Sequence, residues 1–240
     1  MKFIPALTTT NGSNWKEKFR EIQELKIEEI ALFPTCLTKE HRKILYDMIK
    51  NSCIKRIPFV HLRSDMGVEE LEFLAKEYDT QIFNTHSERE FPIDNEWLLK
   101  YKELICIENT ASPLDIEEIK KYGGICLDFA HLENLRLLEK DKYNKEVEVL
   151  SKFPIKCNHI SAIKKEFSFV DSRKRKLQYD SHHMDDLSEL DYLKNYPVNY
   201  FSDFCALELD NKIKEQLEAI NYINEFMVAR NKFIDKMLEH

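Results

Sequence analysis

Eight short apolar, β-branched-rich runs alternate with amphipathic stretches along 240 residues, and six of those runs close on a side chain that can bind a metal. Together these observations predict an α/β fold, a single (β/α)8 TIM barrel with parallel strands and a metal site at its C-terminal mouth. Strand–helix alternation from end to end requires a parallel sheet, most simply a closed barrel. In such a barrel every strand brings its C-terminal end to one mouth, where active sites are built. The length suits one barrel. With no linker, low-complexity tract or boundary in view, residues 1–240 are expected to form one domain.

Strands are predicted near 2–7, 27–33, 57–62, 81–86, 103–108, 124–128, 155–160 and 204–208. Helical patterns fall near 15–25, 39–51, 68–78, 94–101, 114–122, 131–150 and 185–195, with a last helix from about 211. Leu71, Phe73, Leu74 and Tyr78 carry the helical period in the third of these, and Ile213, Leu217, Ile220 and Ile223 in the last. Ser112-Pro113 is a helix start, and Gly123-Gly124 is a stop before the sixth strand.

The six metal-capable ends are IPFVH at His61, IFNTH at His86, LICIE at Glu108, GICLD at Asp128, IKCNH at His159 and CALE at Glu208. They lie 25, 22, 20, 31 and 49 residues apart, roughly the pitch of strand-plus-helix units. Two local spacings add to them. Asp128-Phe129-Ala130-His131 sets a histidine one turn beyond a strand-end carboxylate, and Asp180-Ser181-His182 is an Asp-x-His pair after the seventh strand. Four carboxylates crowded at a poorly solvated mouth repel one another unless cations compensate. Divalent ions are the natural compensation, and mixed imidazole and carboxylate donors suit zinc, manganese or iron, one to three per chain. No cysteine stands at a strand end, so an all-thiolate structural zinc site is not expected. His183 competes with His182, which is preferred on the Asp-x-His spacing alone. Asn84, Asn109 and Asn158 are candidates either for orienting the ligands beside them or for capping strand ends.

Hydrophobic residues make up 43% of the chain, enough for a sizeable core, and a net charge of −7 argues against a non-specific nucleic-acid coat. A locally basic mouth is still open. Residues 164–176 carry six cationic side chains against two acidic ones, a local charge of +4, including Lys164, Lys165 and Arg173. The stretch reads as a loop over the mouth that either binds an anion or is a solvated face. Arg63 and Arg89, each just past a mouth histidine, join it as candidate substrate-binding cations. Six cysteines without a CxxC pair, four of them inside predicted strands, point to a reduced, cytoplasmic protein. No signal peptide or apolar run of about 18 residues is present, so no membrane association is expected. The terminal Leu-Glu-His has the look of the start of a vector-derived tag, and His240 is given no role.

The order His, His, Glu, Asp-x-x-His, His, Asp-x-His, Glu on strands three to eight resembles the xylose isomerase-like TIM barrels, and is particularly similar to that of the endonuclease IV family, three-zinc enzymes that cleave DNA at abasic sites. The resemblance runs from His61 to Glu208. It implies that His61 and His86 hold a first metal, that Glu108 bridges to a second completed by Asp128, His159 and Glu208, and that His131, Asp180 and His182 hold a third. It further implies a metal-dependent hydrolase acting on a phosphate-bearing substrate, either a phosphorylated small molecule or a nucleic acid with an abasic or exposed phosphodiester, with Glu108, Glu208 and His131 catalytic. The chain departs from that family in three places. IPALTTT lacks the Gly-Ala-His of its first strand, Ser181 replaces the arginine of Asp-Arg-His, and the connections are short where that enzyme inserts loops into duplex DNA.

A single-metal sugar or sugar-phosphate isomerase or epimerase of the same superfamily is the alternative. Its metal would use Glu108, Asp128, His159 and Glu208, with the two glutamates moving the proton. A multinuclear iron oxidative enzyme ranks third, although asparagine usually stands there at the His131 position. A barrel that binds without turnover is the non-enzymatic reading.

Overall fold

Side-chain alternation along short strands sorts this molecule into two packed layers around a closed sheet. The structure is a computed structural model that describes residues 1–10, 13–92, 96–110, 112–169 and 177–238. Among them are ten strands: β1 (Lys2–Thr8), β2 (Ala31–Phe33), β3 (Phe59–His61), β4 (Ile82–Thr85), β5 (Ile105–Glu108), β6 (Gly124–Asp128), β7 (Ile155–Ile160), β8 (Ala162–Phe169), β9 (Leu177–Ser181) and β10 (Phe204–Leu207). All but β8 and β9 close into the expected parallel (β/α)8 TIM barrel, in the order β1-β10-β7-β6-β5-β4-β3-β2.

Ile4, Ala6, Ala31, Phe33, Phe59, Ile82, Cys106, Cys126, Cys157 and Ala206 form one buried cluster. Their chain neighbours, among them Leu7, Leu32, Val60, Ile107, Leu127 and Leu207, belong to a larger cluster shared with the helices. A period of two separates the sets, so the first fills the barrel and the second faces the helical coat. The same period carries the interior face upward. Phe59, Ile82, Cys106, Cys126, Cys157 and Ala206 are followed two residues later by His61, Asn84, Glu108, Asp128, His159 and Glu208. Gly124 opens β6 at φ +149, where a Cβ would stand 2.6 Å from the Pro154 carbonyl oxygen, so the close approach of β6 to the start of β7 needs glycine.

The α-helices are α1 (Trp15–Glu24), α2 (Lys39–Lys50), α3 (Val68–Glu77), α4 (Ile116–Ile119), α5 (Phe129–Leu138), α6 (Lys140–Leu150) and α7 (Ile213–Leu238). Five expectations need correction. The helix predicted over 131–150 is two, because Glu139 leaves helical geometry (φ −140, ψ 66) while its carbonyl accepts from Lys142 and Tyr143 and starts α6. The helix predicted near 114–122 shrinks to the single turn α4, capped by Asp115. Those predicted near 94–101 and 185–195 are 3-10 helices over Glu96–Leu104 and Leu187–Asn195. The stretch read as an open loop over the mouth holds instead an antiparallel hairpin, with Ala162 opposite Ser181 and Ile163 opposite Asp180. The alternation in IKKEFSF and LQYDS suits a two-faced ribbon. Among the described residues no helix is long and apolar enough to cross a membrane. All six cysteines are free, and Cys106, Cys126, Cys157 and Cys205 are buried as expected.

Candidate metal centre

The barrel's interior face ends in a ring of donors. His61, closing β3, has its Nδ1 2.8 Å from the Leu62 carbonyl oxygen. A carbonyl only accepts, so Nδ1 carries the proton and Nε2 is left with a lone pair in the neutral ring. That Nε2 lies 3.2 Å from Glu108 Oε2. A lone pair facing a carboxylate at this distance needs a proton or a metal between them. His86, just past β4, sets its Nε2 3.6 Å from Glu108 Oε1, and the His61 and His86 rings meet edge to face at 4.9 Å. Glu108 is 3% exposed, and Asn84 donates to its Oε2 at 2.6 Å.

On the far side of Glu108 stand Asp128, His159 and Glu208. Asp128 ends β6 and caps α5, its Oδ1 accepting from the His131 backbone amide at 2.8 Å. Its Oδ2 is buried without a hydrogen-bond partner. His159, fully buried on β7, is wedged edge-on against Phe33 at 4.8 Å and tilted against Phe59 at 5.4 Å. Its Nδ1 lies 3.2 Å from Glu208 Oε2 and 3.4 Å from Glu108 Oε2, yet neither ring nitrogen makes a hydrogen bond. Buried polar atoms are almost always partnered. Orphans gathered on facing carboxylate and imidazole groups are what a metal-binding pocket presents.

Three groups of side chains bring donor atoms within 4.8 Å of one another: His61, His86 and Glu108; Glu108, Asp128, His159 and Glu208; and Glu108, Cys126 and His159. These donor sets could hold a metal ion, and Glu108 is common to every group found among the described residues. Neighbouring charges strain it. Burial alone would raise the Glu108 carboxyl, but His159 and His86 hold it well below the usual range. Burial likewise opposes ionisation of Glu208, which His182 and His159 pull down to about 2. Asp128 goes the other way, raised by burial and opposed in part by His131. Burial depresses the imidazoles, but Glu108 and Glu208 raise His159 well above its ordinary value, Glu108 raises His86, and Asp128 and Glu108 take His131 to about 9. Without metal, the carboxylates thus favour the charged form of these imidazoles.

The remaining expected ligands lie higher. His131 Nδ1 is 2.9 Å from the Asn109 carbonyl, which leaves its Nε2 toward Asp180 Oδ2 at 3.9 Å. Asp180 is held by Asn134, and His182 is partly exposed, its carbonyl accepting from Asp210. His131, Asp180 and His182 do not gather into a group of the kind above. Of the neighbouring histidines, His183 is exposed and turned to Asp185 at 3.4 Å, whereas His182 is only partly exposed.

The candidate substrate cations are dispersed. Arg63 lines a cavity of about 120 Å³ with Thr35, His61, Thr85, His86 and Phe91, but its guanidinium is engaged by Asp65 and the Thr35 carbonyl. Arg89 pairs with Asp115, and Lys164 with Asp185 and Glu189 at 2.8 Å each. Lys165 is exposed on β8, and Arg173 lies outside the described residues.

Four contributors escaped the sequence reading. Phe33 and Phe59 hold the His159 ring, and the period of two that makes them interior was the available signal. Asn134, one turn past His131, anchors Asp180. Cys126, read as a small hydrophobe, lies within reach of Glu108 and His159. Of the three asparagines, Asn84 reaches a ligand and Asn109 brackets Asp128, donating to its carbonyl and accepting from its amide. Asn158 instead pins the Leu127 and Tyr200 carbonyls on the outer face. No protein-family model matches this chain, and no curated protein matches it.

Proposed function

We propose that the protein is a metal-dependent enzyme with at least two ion positions sharing Glu108, acting by hydrolysis on a phosphate-bearing substrate. The observation that carries this reading is the overlap of the His61–His86–Glu108 group with the Glu108–Asp128–His159–Glu208 group. One carboxylate common to two donor sets is the arrangement for a bridged pair of cations. When bound, divalent ions supply Lewis acidity to the oxygens of a phosphoryl group. The chain's own residues do the rest. Glu108 is fixed by Asn84, His61 by the Leu62 carbonyl and His131 by the Asn109 carbonyl, so the donors are oriented before any ion arrives. The cavity beside His61 and His86 offers Thr35, Thr85 and Ser64 as hydrogen-bonding groups and the exposed Phe91 ring as a wall, room for a small anionic substrate. Zinc suits the donor set, with manganese and iron as the other candidates.

The test is metal stoichiometry on tag-free protein, followed by turnover of bis(p-nitrophenyl) phosphate and an abasic oligonucleotide. Two or three equivalents per chain with phosphodiester cleavage, both lost in Glu108→Gln, are expected. A single equivalent without cleavage would overturn the reading.

A second reading, the single-metal sugar-phosphate isomerase or epimerase, has one observation in its favour. Glu108, Asp128, His159 and Glu208 make a complete four-donor set without help from the mouth's rim. Under it, Glu208→Gln abolishes deuterium exchange at the substrate carbon and leaves the fold intact; unchanged exchange removes Glu208 from that chemistry.

A further inference from the structure

Below the carboxylates the barrel interior is not inert. Glu108 and Cys126 are register partners across β5 and β6, and Cys126 and Cys157 are partners across β6 and β7. Cys126 stands two residues before Asp128 and so shares its face, one layer deeper. Its thiol is fully buried and falls within 4.8 Å of donor atoms on Glu108 and His159. His159 supplies a second sign that something belongs there: it is fully buried, and neither ring nitrogen makes a hydrogen bond although Glu208 and Glu108 oxygens lie 3.2 and 3.4 Å from its Nδ1. Cys106 and Cys157 occupy the same interior cluster but join no group with a carboxylate or imidazole.

Resting on the metal-centre reading above, we propose that Cys126 is a metal ligand, a single thiolate that completes a position with Glu108 and His159 and turns the centre toward thiophilic divalent ions. Binding exchanges a proton for a metal. The S–H bond breaks, the proton leaves to solvent, and the sulfur lone pair fills a coordination site with no change of oxidation state. Thiolate beside imidazole and carboxylate favours zinc and cobalt(II) over magnesium and manganese, which take oxygen donors. A floor of carboxylates and one imidazole alone would discriminate less against oxygen-seeking ions. Cys126 builds that discrimination into the barrel.

The experiment is cobalt(II) titration of the metal-stripped full chain, followed by optical spectroscopy. Visible ligand-field bands report any bound cobalt, and a near-ultraviolet sulfur-to-cobalt charge-transfer band reports the thiolate. The expected result is both bands in the wild type, loss of the near-ultraviolet band alone in Cys126→Ser and Cys126→Ala, and both bands in Cys157→Ser. The preference for zinc over magnesium should fall by at least about tenfold in the Cys126 variants. Ligand-field bands without charge transfer in the wild type overturn the Cys126 assignment and leave the metal centre standing. No cobalt bands at all overturn the centre, and this inference with it. Should the variants fail to fold, X-ray absorption on the zinc-loaded wild type decides. One sulfur at about 2.3 Å supports the assignment, whereas none, or two or three, overturns it.

Discussion

The floor of the mouth and its rim hold the same chemical groups under different restraints. On the floor, Glu108, Asp128, His159 and Glu208 sit at or just past strand ends, none more than 7% exposed, and sheet register alone brings them together. On the rim, His131 belongs to α5 and Asp180 to the hairpin strand β9, and their nearest approach is 3.9 Å. The floor is preassembled because each donor is one step of a two-residue period on a strand whose neighbours are fixed by backbone bonding. The rim depends on how the hairpin lies against α5, a contact resting on Asn134, which reaches both the Asp180 carboxylate and the Tyr179 amide. Preorganisation and sequence-legible periodicity are here one property.

The sharpest way to break this contrast is Glu108→Gln. Removing the carboxylate common to every donor group should take tightly bound metal from two or more equivalents to none by elemental analysis, while circular dichroism keeps the barrel signature. Retention of one tight equivalent would show that the floor does not depend on Glu108.

Acidity comes next. His86 and His159 are held protonated above their ordinary range, and each must shed that proton to bind a metal. Affinity should therefore rise with pH, about tenfold per released proton per pH unit, until the raised values are passed. Without metal the sign for stability is the reverse. An imidazole raised in the folded state, such as His131 at about 9 against 6.5, contributes stability that is fully present below the lower value and lost as pH rises through the higher. Thermal unfolding of metal-stripped protein should fall between pH 6.5 and 9, and added zinc should reverse the trend. A pH-independent melting temperature in stripped protein would contradict this charge arrangement.

Asp128 sharpens the comparison at the level of about 1 kcal/mol. Asparagine caps a helix as well as aspartate, whereas alanine forfeits the cap at about that cost. Metal-free Asp128→Asn should unfold no more easily than the wild type, while Asp128→Ala should lose about 1 kcal/mol against Asn in denaturant titration. Both should bind metal poorly. Equal stabilities would remove the cap from the account.

The smallest effect belongs to the rim. Asp180→Ala should change floor affinity by less than about threefold, since Asp180 joins no floor donor group, and adding His182→Ala should remove only the charge that His182 sets beside Glu208. Phosphodiester turnover is the discriminating readout: if it survives untouched in this double variant, a third ion has no part in the chemistry.

What the sequence made legible follows the same line. The barrel, its eight strands and the gathering of Glu108, Asp128, His159 and Glu208 were readable because apolar runs ended in donors at near-constant pitch, and register then did the assembling. The break at Glu139, the 3-10 form of Leu187–Asn195 and the β8–β9 hairpin were not, since each is settled by packing on the barrel rather than by local pattern. Arg63 and Lys164 illustrate another limit. Their positions suggested a cation facing substrate, but Asp65, Asp185 and Glu189 had already engaged them, and such partnerships are invisible in one dimension. Cys126 shows the converse: its burial was foreseen and holds, while its closeness to Glu108 and His159 was not foreseen.

Asp128 has one further consequence. Because one of its oxygens holds the start of α5 while the other makes no hydrogen bond, a chain that needed only the helix would still be under pressure to keep an aspartate or asparagine there. Its persistence in a relative would testify to the helix before it testified to any metal. His159, which caps no helix and faces Glu108 and Glu208 from between two aromatic rings, is the more informative position.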